Sequence, residues 1–527
     1  MTESVATTAT IQLHDDDNVI VAIRESEAGQ LATNREMRLE LIEHVPQGHK
    51  IASREICEGD PIVKYGQPIG IAKSAIQAGQ WVHTHNVEWQ SEQGDYQFAT
   101  EVPTVKPPAS ERSFLGYRRS NGSAGTRNYI AIISNVNCSA SVSKTVARHF
   151  DRERLKAYPN IDGVVAFTHH SGCAMQFAGQ QHQILNRVMG GIARHPNIGG
   201  CLLIGLGCYL LIGLGCEKVT LDYLVSDQNL VQIKGQSPST TTGAPITMTI
   251  QKSGGTEATI AEAIARVDEL LPLVNDVQRE KIPASELILA TQCGGSDGSS
   301  GITANPAVGV ASDLIVAQGG TTILAETTEI VGAEHLLTRR SVSEAVGQKL
   351  LEKIDWWRWY AGIFGETVDD NRSAGNAAGG LTTIAEKSLG AVAKAGNSAL
   401  VNVYEYADQI TAKGLVVMDS PGFDPCSITG MVASGANMVV FTTGRGSCYG
   451  CKPVPSLKIA TNSPMYRRLE SDMDINAGQI LDGHTVAEVG EEIFEAILAV
   501  ASGRLTKSEQ LGVGDEEFVP WLIGPVL

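Results

Sequence analysis

Residues 286–297 read Glu286-Leu-Ile-Leu-Ala-Thr-Gln-Cys-Gly-Gly-Ser-Asp297. An apolar run passes at once into small and polar residues that include a thiol and a carboxylate. A run that is apolar throughout reads as a strand buried on both faces, as in a parallel sheet, because a strand with one solvated face would alternate. The same habit recurs at 129–133 (YIAII), 163–167 (GVVAF), 321–325 (TTILA), 414–418 (GLVVM) and 437–441 (NMVVF). Amphipathic helices separate these runs. One is expected over 259–271, opened by Thr259 and Glu262 in capping-box spacing, with Ile260, Ile264, Val267 and Leu271 on its apolar face. Another opens at Ser341 with Glu344 and continues through Val346, Leu350 and Ile354. Strands alternating with helices predict an α/β fold with mainly parallel sheets.

Outside this texture lies a different N-terminal region. Over 13–92, short apolar stretches (18–22, 50–52, 61–64, 68–72, 81–83) recur at about ten-residue intervals between Gly, Pro and Asp, the pattern of a small all-β domain. Residues 93–112, with Pro103, Pro107 and Pro108, read as a stiff linker. The remainder divides into a central α/β domain at 113–255 and a C-terminal α/β domain at 256–527. One local feature is irregular: residues 201–208 read CLLIGLGC and 209–216 read YLLIGLGC. This is a tandem duplication too short for a solenoid. Eight extra residues in a buried strand preserve its face alternation, since eight is even.

The chain has 527 residues, enough for several hydrophobic cores, and a formal charge of −17 from 41 Lys+Arg and 58 Asp+Glu. That balance argues against nucleic acid as a partner, because phosphate binding needs a basic face. No apolar run reaches the ~20 residues of a membrane span, and the N-terminal residues carry no basic-then-apolar signal, so a cytoplasmic protein with no membrane partner is expected. Ten cysteines in such a length are too sparse for a disulfide scaffold. The 55 glycines cluster after apolar runs, as loops that approach a ligand closely would require.

In open α/β sheets, ligands bind beyond the carboxyl ends of the strands. The residues following each run are therefore the candidate chemistry, and one convergent site is the economical reading. After 129–133 comes Cys138. After 163–167 come His169, His170 and Cys173. After the repeated run come Cys216 and Glu217, and after 286–290 come Cys293, Ser296 and Asp297. Glu326 and Glu329 follow 321–325. Thr442, Thr443 and Arg445 follow 437–441 in a Thr-Thr-Gly-Arg-Gly cradle, where glycines admit a close backbone approach and Arg445 can grip a carboxylate. Each has a plainer reading. Adjacent His169 and His170 point to opposite faces. Cys448-Tyr-Gly-Cys451 is a single CxxC, of low specificity. The cysteines are ligands or small packing residues, and Glu326 with Glu329 is either a carboxylate pair or a solvated helix start. His83 and His85, at i and i+2 of a strand, offer a two-His metal face or an exposed edge. No glycine-rich dinucleotide fingerprint stands in context, so no nicotinamide is expected.

These stretches together resemble the altronate/galactarate dehydratase family of sugar-acid hydro-lyases over nearly the whole chain. The resemblance is carried by Tyr65–Gly70 (YGQPIG), 82–86 (VHTHN), 117–128 (YRRSNGSAGTRN), His170–Cys173, 212–217 (IGLGCE), the long 293–306 motif (CGGSDGSSGITANP), Thr442–Gly446 and 474–478 (DINAG). It implies that the first domain is a SAF module of β-clip fold, that a divalent metal is present, Fe(II) by preference, and that a small sugar acid is dehydrated. The stretches 320–324, 332–337 and 82–86 look like altronate dehydratases, whereas 473–478 looks like the galactarate branch; altronate is favoured. The family has one copy of the duplicated segment, and only the second copy here keeps its Glu, so the site is carried to Cys216 and Glu217.

Dehydration removes the C2 proton and the C3 hydroxyl, and the enol becomes a 2-keto-3-deoxy acid without redox change. The expected catalytic residues are His170, Glu217, Asp297 and Glu326. Ser296, Ser300, Thr303, Asn305, Thr442, Thr443 and Arg445 are expected to bind substrate. His83, His85, Cys173, Cys216 and Cys293 are expected to serve the metal. Two rival readings stand beside this one. An iron–sulfur dehydratase would draw its cluster ligands from Cys138, Cys173, Cys216 and Cys293. A non-catalytic sugar-acid binder would follow if the duplication displaced the site. A homo-oligomer is compatible with either.

Overall fold

The computed structural model describes residues 7–34, 37–90, 96–207, 218–236 and 243–523. Glycine-punctuated short strands build the N-terminal part. Met37–Glu40, Leu31–Asn34, Thr7–Ile11, Val19–Ala22, Lys50–Ala52 and Trp81–Val82 lie side by side in that order in one sheet. Pro61–Lys64, Gln67–Ala72 and Val87–Glu88 form a second, antiparallel one. Pro61–Lys64 and Gln67–Ala72 are joined by Tyr65-Gly66, both at positive φ (61° and 69°), as a tight primed hairpin turn demands.

The middle unit is a four-stranded parallel sheet in the order Gly163–Phe167, Tyr129–Ser134, Ile198–Gly205, Ile246–Thr249. Residues 201–205 of the first copy of the duplicated segment form the carboxyl-terminal part of the strand Ile198–Gly205, every residue of which is buried; Cys208, the second copy with Cys216, and Glu217 lie outside the described residues. The last unit is a seven-stranded parallel sheet in the order Leu400–Tyr404, Gly414–Met418, Thr321–Leu324, Ile288–Cys293, Met438–Thr443, Ser456–Ala460, Ile475–Asn476. Strand Ser113–Arg118 pairs antiparallel with Glu280–Pro283, so the chain leading into the middle unit is zipped to the chain leading out of it.

Three expectations need adjusting. The helix Thr256–Asn275 starts three residues before Thr259, because Gly254 and Gly255, both at positive φ, turn the chain into it, and Thr259 donates back to the Gly255 carbonyl instead of capping. This helix packs Val267, Leu270, Leu271 and Val274 on the middle sheet against Ile130, Ile132, Leu202 and Ile204, so it belongs with that sheet and not with the C-terminal domain at 256–527. The helix Glu344–Ile363 is capped by Ser343, since the Ser341 hydroxyl is spent on the Thr338 and Ser343 carbonyls. Among the described residues no helix is long and apolar enough to cross a membrane.

The middle and last units share one hydrophobic core, in which Ile184, Val188 and Ile192 of the helix Gln180–Arg194 meet Ile428, Met431 and Val432 of the helix Asp424–Ala433. His195 pins the same seam. Its Nε2 reaches the Ala436 carbonyl at 2.8 Å while Nδ1 accepts from the Asn197 amide at 3.0 Å. Burial drives its pKa down to about 3, so it is neutral in the folded protein. Between pH 6.5 and 3 the unfolded chain binds a proton there that the folded chain refuses. This contribution to stability is therefore complete above pH 6.5 and lost as pH falls below it, at about 1.4 kcal/mol per pH unit. Urea midpoints measured from pH 7 to 4.5 are expected to fall less steeply in His195→Gln than in the parent; equal slopes would refute the assignment.

Candidate active site

The strand Ile288–Cys293 occupies the centre of the seven-stranded sheet. From it the chain first crosses to Thr321–Leu324 on one side, and later continues through Met438–Thr443 on the other. This reversal is the switch point at which open α/β sheets leave a crevice. Two groups of side chains gather along that carboxyl edge.

The first is buried. Cys293 ends its strand, and Glu326 and Glu329 follow Thr321–Leu324. Glu326 sits in the left-handed region (φ 60°, ψ 60°), its amide donating to Ser420 Oγ at 2.9 Å. A non-glycine residue held there stores strain of a kind that collects at functional sites. The Cys293 thiol lies 3.5 Å from a Glu329 oxygen and 3.8 Å from Glu326 Oε2. Lys394 Nζ stands between Cys293 Sγ (2.7 Å) and Glu326 Oε2 (2.9 Å), and Lys387 Nζ holds Glu329 at 2.8 Å. Burial pushes the Cys293 thiol well up, and burial followed by the Glu329 charge raises the Glu326 carboxyl. Burial alone would neutralise Lys394, but Cys293, Glu326 and Glu329 outweigh it and keep the ammonium charged. At the rim, burial lifts Asp424 to about 6, although Gln292 donates to it at 2.8 Å.

Cys293, Glu326 and Glu329 are the one set of three or more potential His, Cys, Asp or Glu ligands that converge among the described residues, with ligand atoms within 4.8 Å of one another. Glu326 Oε1 is buried and has no hydrogen-bond partner among the described residues. The set can hold a metal ion, and a soft thiolate beside two carboxylates admits a first-row divalent ion.

The second group is open. A pocket of about 270 Å³ is lined by Asp297, Arg445, Asn462 and Arg468 from the last unit, together with Gln47 from the N-terminal one. Asp297 is its scaffold: the carboxylate accepts from Ser300 Oγ (3.0 Å), Thr461 Oγ1 (3.1 Å), Asn462 Nδ2 (3.2 Å) and the Ser299 amide (3.1 Å). Burial raises its pKa in spite of them. Arg445 is exposed into the pocket, and among the described residues its guanidinium donates one hydrogen bond, to the Gly375 carbonyl at 3.3 Å. Just the loop Gly294–Ser296 separates Asp297 from Cys293.

Comparison with known proteins finds three family models along the chain. Residues 8–90 match the altronate/galactarate dehydratase SAF domain, 116–210 the second domain of D-galactarate dehydratase/altronate hydrolase, and 284–526 the D-galactarate/altronate dehydratase C-terminal domain. Galactarate dehydratase (L-threo-forming) of Escherichia coli strain K12 is 39% identical over 96% of this chain and 95% of its own. Altronate dehydratase of Bacillus subtilis strain 168 is 35% identical over 95% and 96%. The β subunit of (2R)-sulfolactate sulfo-lyase of Chromohalobacter salexigens is 32% identical over 77% of this chain and 97% of its own. The chain belongs to the altronate/galactarate dehydratase family. It is an enzyme, a hydro-lyase of this family's type.

In this dehydratase, the expected site residues fall into distinct places. Cys293 and Glu326 meet in the buried cluster, and Asp297, Ser300 and Arg445 build the pocket and its scaffold. Ser296 lends its carbonyl to Asn376. Thr442 donates to Asn305 at 2.6 Å, Thr303 to the Ser299 and Thr461 carbonyls, and Thr443 Oγ1 accepts from the Gly446 amide. The Thr303, Asn305, Thr442 and Thr443 side chains are engaged within the loops they order. His170 is exposed and Cys173 partly buried on the loop after Gly163–Phe167, in the middle unit; neither joins the converging ligand set. His83 and His85 lie not along a strand but in the turn after Trp81–Val82, where His83 stacks on Trp81 at 5.0 Å. Lys387 and Lys394 escaped the sequence reading. Their spacing of seven, on the helical stretch 384–395 whose other residues are apolar or small apart from Glu386, was the available signal, because it aims both lysines inward.

Proposed function

We propose that this enzyme dehydrates altronate to a 2-keto-3-deoxy acid at the carboxyl edge of the seven-stranded sheet. The observation that carries the reading is the adjacency of a guanidinium-lined pocket and a buried thiol–carboxylate–lysine cluster, joined by the loop Gly294–Ser296. The substrate carboxylate is held by Arg445 and Arg468, whose planar forks match its oxygens. The C2 and C3 carbons then face the cluster.

Removing the C2 proton places a second negative charge beside the carboxylate, and that charge needs a fixed counter-charge. A divalent ion, Fe(II) in this reading, held by Cys293, Glu326 and Glu329, supplies Lewis-acid stabilisation when bound. The chain's own residues do the rest. Lys394 and Lys387 neutralise the two glutamates in the resting site. Asp424, whose pKa burial lifts to about 6, is suited to receive a proton, and the Lys394–Glu326 pair, which holds one proton between ammonium and carboxylate, to return one to the departing hydroxide. Water leaves, and the enol tautomerises to the ketone.

Galactarate is the second reading, favoured by the two guanidiniums lining a single pocket: an aldarate has two carboxylates to offer them. Comparing kcat/KM for the two acids, with anaerobically prepared Fe(II)-supplemented enzyme, decides between them. A preference for altronate of tenfold or more is expected; the reverse ratio would transfer the enzyme to the galactarate branch.

A further inference from the structure

The pocket has one wall that does not come from the catalytic unit. Residues 47–50 of the N-terminal domain run along residues 378–380 of the last unit. Gly48 packs directly against Gly298 and Gly380; a Cβ at either of those would collide with its carbonyl. His49 Nε2 contacts the Ala378 carbonyl at 3.3 Å, and Lys50 Nζ donates to the Gly380 carbonyl at 2.7 Å. Behind them Lys50 and Lys64 both grip Glu386, at 2.8 Å each, with all three side chains fully buried. A charged group left alone there would cost several kcal/mol, so the two units are pinned in one relative position. The pin leaves Gln47 exposed into the pocket beside Arg445, Arg468 and Asn462. No hydrogen bond within the described protein occupies its amide.

We propose that Gln47 is a specificity-determining residue, by which the N-terminal domain reads a substrate hydroxyl while the last unit holds the carboxylate. This rests on the sugar-acid reading above. The chemistry is complementary. The guanidiniums only donate, which suits a carboxylate, whereas an amide both donates and accepts, as an alcohol on the carbon chain does. The N-terminal domain is thereby part of the active site and not an independent binding module.

The test uses the full-length, metal-loaded enzyme and its Gln47→Ala and Gln47→Glu variants. Each acid is followed by kcat/KM where it turns over, and by a calorimetric Kd where it does not. For Gln47→Ala a tenfold or larger loss is expected on the preferred acid, mainly in KM, with an altered altronate-to-galactarate ratio and an unchanged Tm, since only an exposed side chain is removed. Gln47→Glu is expected to lose more, because its carboxylate competes for the guanidiniums. Unchanged efficiency and an unchanged ratio in Gln47→Ala overturn the proposal while leaving the lyase reading intact. Binding without turnover in the parent overturns the lyase reading alone, and the ratio of Kd values then decides on Gln47. A parent that binds neither acid overturns both.

Discussion

Glu326→Gln is expected to lower kcat by about a thousandfold or more, within the range that removal of a positioned acid–base group produces. The amide keeps the shape of the carboxyl but can neither transfer a proton nor offset the Lys394 ammonium, 2.9 Å away and fully buried. The local geometry resists rearrangement, because the left-handed backbone at Glu326 is fixed by Ser420 and by the turn Thr327–Glu329. Orphaning Lys394 also destabilises the fold, by up to about 3–5 kcal/mol. Turnover should therefore be compared at a temperature where circular dichroism shows the variant folded. A folded variant retaining a tenth of the parent kcat would remove Glu326 from the chemistry.

Arg445→Ala is expected to raise KM by about 10- to 100-fold, the equivalent of losing a charge-assisted hydrogen bond worth about 1.5–3 kcal/mol, with kcat changed far less. The Arg445 guanidinium contributes little to the fold: it is exposed and, among the described residues, makes one hydrogen bond, of 3.3 Å to the Gly375 carbonyl. Lysine in its place should recover only part of the loss, since a point charge lacks the planar fork. An unchanged KM would move the carboxylate to another part of the edge.

The parallel core was legible because its strands are apolar on both faces. The runs at 129–133, 163–167 and 414–418 coincide with Tyr129–Ser134, Gly163–Phe167 and Gly414–Met418. The pocket was partly legible for the same reason. Asp297 and Arg445 directly follow strands, so chain order alone places them at the ligand edge. What stayed hidden depends on long-range contact. Lys387 and Lys394 arrive from a helix some sixty to a hundred residues beyond Cys293 and Glu326. Gln47 lies about 250 residues before the loop it faces. Hydrophobic period carries no information about which inward lysine meets which carboxylate, or about the docking of one unit on another. In hydroxyl-rich motifs the sequence does not separate loop ordering from ligand binding: Thr303, Asn305 and Thr442 hydrogen-bond one another or the backbone, as buried polar groups must.

The most direct test follows the substrate protons. Altronate and galactarate are incubated separately in D2O with anaerobic, Fe(II)-supplemented enzyme and observed by proton NMR. The C2 proton signal of one acid is expected to disappear, with a 2-keto-3-deoxy acid carrying one deuterium at C3, delivered from solvent as the enol tautomerises, taking its place. Unchanged spectra of both acids, from folded enzyme shown to contain iron, would contradict the proposed dehydration.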